Sequence, residues 1–245
     1  MALRLVQLNF KARDDSALGR FWAKALDWES SSDDPGATSV MPVGSTWPLP
    51  AAVTIDVIAV PDPETVNDRV HLELATTSAA HHTELVARLR DLGATSADAG
   101  QGDQPRTALA DPDGNLFCVR QPQEIHQDTG PIAAVVVDCA DPQAMARFWG
   151  EAMDWPLHDA TDDHAVLRSA KSGGPYLEFL RTPHLKHMRN RIHLDLLPDP
   201  VEDQLAEVAR LETIGATRPN AGKDDFPWKI LTDPEGNQFC VLGRG

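Results

Sequence analysis

Arg69-Val70-His71-Leu72-Glu73-Leu74 returns later in the chain as Arg191-Ile192-His193-Leu194-Asp195-Leu196. Asp111-Pro112-Asp113-Gly114-Asn115-Leu116-Phe117-Cys118-Val119 returns as Asp233-Pro234-Glu235-Gly236-Asn237-Gln238-Phe239-Cys240-Val241. Arg20-Phe21-Trp22, with Asp27-Trp28 after it, returns as Arg147-Phe148-Trp149 with Asp154-Trp155. The offset is 127 for the last pair and 122 for the other two, so the second copy lost five residues between its first helix and its His strand. Solenoid units are about 20–50 residues long. A repeat this long is a duplicated domain, with copies at 1–122 and 130–245.

Bulk composition narrows the function. The chain has 245 residues, enough for two domains that each bury a core. No apolar run approaches the length of a membrane helix. Met1 to Phe10 alternates and then meets charge, which reads as a strand and not a signal peptide. Three cysteines without a close pair argue against a disulfide framework and a zinc ribbon, and cytoplasm is the expected location. The net charge of −15 opposes nucleic acid and anionic lipid, where binding is led by Lys and Arg. It suits either solubility or the steering of a cationic small molecule.

Leu5 to Phe10 alternates with period two, placing Val6, Leu8 and Phe10 on one face and Leu5, Gln7 and Asn9 on the other. A helix follows, capped by Asp15 or Ser16, with Leu18, Phe21, Trp22, Ala25 and Leu26 at helical spacing. Ser30 to Pro50 should hold turns and a short strand; Val53–Val60 and Val70–Ala75 read as strands. Thr83–Leu92 reads as a helix closed by Gly93, and Asp113-Gly114-Asn115 as a hairpin turn before a strand over 117–120. Gln121–Gly130 joins the copies. The second copy predicts strand 132–138, helix 141–152, strands 176–181 and 191–196, helix 200–214 closed by Gly215, and a hairpin at Glu235-Gly236. His184 and His187 before Arg189 read as a solvated turn, and Lys223-Asp224-Asp225 as a surface loop. No nucleotide-binding loop or nucleophile elbow is present.

Repeated βαβββ modules with an F-W-x-x-x-[LM]-x-W helix, R-x-H-L-[DE]-L and D-P-[DE]-G-N-x-F-C-V resemble the vicinal oxygen chelate superfamily. That group includes glyoxalase I, bleomycin- and fosfomycin-resistance proteins and extradiol dioxygenases. The resemblance implies an α+β fold of two tandem glyoxalase-like domains, with paired βαβββ modules curling a sheet around a cleft. It also implies four ligand positions. The first, fourteen residues before the helix Phe, is Gln7 in one copy and Ala134 in the other. The second is Asp56 or Glu178, the third His71 or His193, and the fourth Cys118 or Cys240, where glyoxalases place Glu. Modules pair either within a copy or across copies. In the second case Gln7 and Asp56 face His193 and Cys240.

The candidates carry different chemistries. His71 and His193 lie on the polar faces of their strands with Arg69, Glu73, Arg191 and Asp195. They serve as metal ligands, as contacts to an organic guest or as members of a structural Arg–His–carboxylate row. Asp56 and Glu178 are general-base candidates if burial raises their pKa, or ion-pair partners of Arg69 and Arg191. Cys118 and Cys240, between Phe and Val, read as small buried hydrophobes. Trp22, Trp28, Trp149 and Trp155 belong to the core, whereas Trp47 and Trp228, beside prolines, are candidates for stacking on a planar or cationic ligand. The ligand-binding set is therefore Gln7, Trp47, Asp56, Arg69, His71, Glu178, Arg191, His193 and Trp228. Metal candidates are Gln7, Asp56, His71, His193, Cys118 and Cys240. Ala134 cannot ligate, and Cys replaces the usual Glu twice. These departures favour a cytoplasmic small-molecule-binding protein without an essential metal, monomer or homodimer, with a cationic or aromatic guest. The rival is a lyase, isomerase or dioxygenase using Zn, Fe, Ni or Mn on vicinal oxygens. Whether the chain is an enzyme is left open by the residues.

Overall fold

The computed structural model describes residues 2–63, 69–98, 106–171, 173–182, 191–199, 204–219 and 226–243. The expected turn at His184 and His187, the loop at Lys223-Asp224-Asp225 and the opening of the helix expected at 200–214 lie outside them. Four modules follow one another. The first is β1 (Ala2–Ala12), α1 (Asp15–Leu26), β2 (Glu29–Asp34), β3 (Ala37–Met41) and β4 (Thr54–Ala59). The second is β5 (Val70–Leu74), α2 (Ala79–Asp91), β6 (Thr95–Ser96), β7 (Arg106–Ala110) and β8 (Leu116–Arg120). The third is β9 (Ile132–Cys139), α3 (Pro142–Met153), β10 (Leu157–Ala160), β11 (His164–Leu167) and β12 (Tyr176–Arg181). The fourth is β13 (Ile192–Asp199), α4 (Gln204–Thr213), β14 (Lys229–Thr232) and β15 (Gln238–Val241). The fold is α+β, as the resemblance implied. No helix among the described residues is long and apolar enough to cross a membrane.

The sheets resolve the pairing question. One has the order β14-β15-β13-β1-β4-β3-β2 and the other β10-β11-β12-β9-β5-β8-β7-β6. Each sheet takes one module from each copy, joined by antiparallel pairing of β1 with β13 and of β5 with β9. The aromatic contacts of the repeated helices, in contrast, are made within a copy. Trp22 of α1 packs on Phe117 of β8, ring centroids 5.2 Å apart, and Trp149 on Phe239 at 5.1 Å. Each aromatic helix thus ties its own module, in one sheet, to its copy's second module, in the other.

The repeated motifs explain each other. Trp22 Nε1 donates to Asp111 Oδ2 at 3.2 Å, and Trp149 Nε1 to Asp233 Oδ2 at 3.4 Å. Asp111 also accepts from the Asp113 and Asn115 backbone and from the Asn115 side chain, so it organises the turn while anchoring the helix. Asp111→Ala should therefore cost about 2 kcal/mol, because it strands several buried donors at once. Urea unfolding measures this, and Asp233→Ala should behave alike. Asp27 and Asp154 end α1 and α3 in the left-handed conformation, φ 55° and 56°. Asp tolerates that conformation better than most residues with a Cβ, which accounts for the repeated Asp-Trp.

Several expectations shift. The cap of α1 is Asp14, not Asp15 or Ser16: its carboxylate accepts from Ala17 N at 2.8 Å. The α2 helix starts at Ala79, before the expected Thr83, because Ser78 caps it through His81 N. A β-bulge between Leu5 and Gln7 breaks the alternation of β1, so Leu5 joins Leu8 and Phe10 in the core and Val6 sits at the bulge. Two strands, β2 and β3, stand where one was expected. Strand β2 is Glu-Ser-Ser-Ser-Asp-Asp and β10 is exposed throughout, so neither carries apolar alternation to read.

Candidate functional site

Gln7 and Asn9 project between the buried Leu8 and Phe10 of β1. Pairing register places Gln7 beside Thr54 and Asp195, and Asn9 beside Asp56 and His193. Cys240 lies next to Asp195. Residues directly opposite on paired strands share a face, so both copies contribute to one polar surface. Three of its donors are engaged by protein oxygens: Ser39 Oγ donates to Asp56 Oδ1 at 2.9 Å, Thr54 Oγ1 to the Val6 carbonyl at 3.2 Å, and Gln7 Nε2 to Asp195 Oδ2 at 3.3 Å. Above this floor is a cavity of about 420 Å³, with Met41, Trp47, Pro227, Trp228 and Leu242 among its walls. Trp47 is 37% and Trp228 38% exposed, and Phe226 stacks on Trp228 at 4.9 Å with 15° between planes. Burial raises the Asp56 pKa against the pull of the Ser39 hydroxyl, with Asp34 adding to the rise. Burial also pushes Asp195 up to about 7, opposed by the Cys240 thiol, reinforced by the charge of Asp56 and opposed by the Gln7 amide.

The corresponding face of the other sheet is filled. Glu73 is fully buried and pairs with both Arg106 and Arg120. Arg120 continues to Glu178 Oε2 at 2.6 Å and to His126 Nε2 at 3.0 Å, and His164 Nε2 lies 3.4 Å from Glu178. Beside them Ala134, Val136, Val166 and Tyr176 form an apolar cluster. Burial would raise the Glu73 pKa, but His71 and the charges of Arg120 and Arg106 outweigh it and hold the carboxyl well below the usual range. His71 Nε2 is 3.8 Å from Glu73, so that influence is electrostatic and not a hydrogen bond. Glu178 is also lowered: His164 and Arg120 overcome the effect of burial.

The sequence matches the glyoxalase-like domain family twice, over residues 7–120 and 134–242. The chain belongs to the glyoxalase-like domain family. A comparison with curated protein sequences finds no match. Among solved structures, glyoxalase I from Zea mays is similar in fold, with 14% identity, 99% of this chain and 92% of that chain covered, and a TM-score of 0.65. A putative dioxygenase from Bacillus subtilis subsp. subtilis str. 168 aligns at 14% identity, covering 99% of this chain and 85% of that one, with a TM-score of 0.61. At such identity these likenesses concern fold alone.

The glyoxalase-like fold places the four sequence-derived positions together in two sets. Gln7, Asp56, His193 and Cys240 share one sheet face; Ala134, Glu178, His71 and Cys118 share the other. Among the described residues, His71, Glu73 and Cys118 form the one trio with potential metal-donor atoms within 4.8 Å of one another. The trio does not fit a cation. Two guanidinium groups already neutralise Glu73, and burial with the nearby Glu73 charge pushes the Cys118 thiol up to about 12. In the first cleft Gln7 Nε2 is turned onto Asp195 and Asp56 accepts from Ser39, and no trio of His, Cys, Asp or Glu donor atoms gathers there among the described residues. Burial also raises the Cys240 pKa, which leaves the thiol protonated and a poor ligand.

Arg69 and Arg191 work elsewhere. Arg69 Nη1 donates to the Glu235 carbonyl at 3.0 Å and Asn237 Oδ1 at 3.1 Å; Arg191 Nη2 reaches Asp113 Oδ2 at 2.8 Å. Each holds the hairpin turn of the opposite copy, instead of pairing with Asp56 or Glu178. Sequence reasoning overlooked Arg106 and Arg120, which decide the second cleft. Their signal was available: at the offset of 122 they correspond to Trp228 and Leu242. Arginine fills one cleft where Trp and Leu leave the other open.

Proposed function

We propose that the Gln7–Asp56 cleft binds a planar aromatic cation, and that the protein acts through an organic guest and not through a metal. One observation carries this reading: the Ser39 and Thr54 hydroxyls and one Gln7 amide N–H are engaged by protein oxygens, while a carboxylate and two indole rings line the cavity. Among the described residues the lining includes one carboxylate, Asp56, and no Lys or Arg. Trp47 and Trp228 offer ring faces at the rim, and such faces attract cations. The volume lies within the range of small-molecule pockets.

Calorimetric titration with 9-aminoacridine, and with 9-anthracenecarboxylate as an anion of similar shape, tests this. The cation should bind at least about tenfold more tightly, since an ionic contact at a partly desolvated site contributes about 1.5–3 kcal/mol. Asp56→Asn should remove that preference while leaving the melting temperature near its original value. Equal affinity for both probes, or binding of neither, would sink the reading.

A further inference from the structure

A cavity of about 570 Å³ lies between the end of α1, the loop after β5, the first half of α2 and the segment joining the copies. Leu26, Leu74, Leu85, Pro122 and Pro131 give it an apolar lining, and two histidines, His81 and His126, also line it. Their hydrogen bonds fix their tautomers. His126 Nε2 is 3.0 Å from Arg120 Nη1, and a guanidinium can only donate, so Nε2 accepts and the neutral ring carries its proton on Nδ1. His126 is 5% exposed, and its Nδ1 has no partner among the described residues. His81 Nδ1 accepts from the Thr77 backbone N–H at 3.1 Å, which puts that ring's proton on Nε2. Burial, followed by the charge of Arg120, lowers the His126 pKa and keeps the ring neutral. Both imidazoles line the cavity, and the His126 Nδ1–H is buried without an acceptor among the described residues.

The other charged groups determine what fits. Arg88 is turned to Asp27 Oδ1 at 2.7 Å and to the Ala25 carbonyl at 3.1 Å. Asp27 and Glu124 line the same cavity and oppose an anion. A buried donor without an acceptor is destabilising, and a guest's oxygen would satisfy it. We propose that this cavity is a second binding site, for a neutral, largely apolar molecule whose carbonyl or amide oxygen accepts hydrogen bonds from His126 and His81. It is separate from the sheet cleft, with which it shares no described lining residue.

Acetanilide is a suitable probe, with isobutylbenzene as a hydrocarbon of similar size lacking the oxygen. Long-range nitrogen–proton NMR of the imidazoles should show the Nδ1–H form of His126 and the Nε2–H form of His81 in the free protein. Acetanilide should shift the His126 Nδ1–H resonance saturably and bind about tenfold more tightly than the hydrocarbon. His126→Phe should erase that preference, and Trp47→Ala/Trp228→Ala should leave it intact. The opposite His126 tautomer, equal affinity for the two probes, or no saturable shift with acetanilide would overturn the proposal. Loss of the shift in the double Trp variant would do the same, by placing the probe in the sheet cleft. The spectra of the native protein decide the matter even if His126→Phe fails to fold.

Discussion

Glu73→Ala is expected to lower stability by about 3–5 kcal/mol, the usual cost of removing one partner from a buried ion network. Glu73 is fully buried between Arg106 and Arg120, and Arg120 also serves Glu178 and His126. The alanine variant leaves Arg106 without its carboxylate and Arg120 with one in place of two. Urea unfolding followed by Trp fluorescence measures the loss. A change below about 1 kcal/mol would mean that water reaches the arginines and the second face is not the filled structure described. The pH dependence provides a second check. The folded-state pKa of Glu73 is depressed, so its contribution is present above the ordinary glutamate range, about 4.3, and fades as pH falls below it. The gap between wild type and Glu73→Ala should therefore narrow on acidification. A gap that widens with acid would contradict the assigned direction.

Trp47→Ala/Trp228→Ala should weaken binding of 9-aminoacridine by about 100-fold, with little effect on folding. Both rings are more than a third exposed at the cleft rim, so neither anchors the core. Two ring–cation contacts of about 1.5 kcal/mol each give that factor. Calorimetry suits the measurement because the variant lacks the nearby reporters. Trp22 and Trp149 are buried against Phe117 and Phe239, and replacing either should act on stability instead. An unchanged affinity in the double variant would remove the aromatic rim from the binding account.

Much of the architecture was legible because it rests on local pattern. The duplication, the alternation of β1 from Gln7 to Phe10, the aromatic stripe of α1 and the Asp-Gly and Glu-Gly turns are all visible in the sequence. The partnership of Trp22 with Asp111 was not legible, although both residues stand in repeated motifs, since 89 residues separate them. The same holds for Arg69 and Arg191. Their place beside a His suggested a cleft, but the strand ends carry them to the opposite copy's turns.

The sequence by itself determined that there are two copies, that each has a β-α-β pattern with an aromatic core helix, and which polar residues alternate out of that core. Hydrophobic periodicity and turn chemistry act over a few residues, so they survive in a linear reading. Only the tertiary structure decided that modules pair across copies, so that Gln7 and Asp56 meet His193, Asp195 and Cys240. It also decided which face is open. Strand pairing is a contact between distant segments whose edges are locally equivalent, and a side chain that fills a cleft differs from one that lines it only through its three-dimensional neighbours.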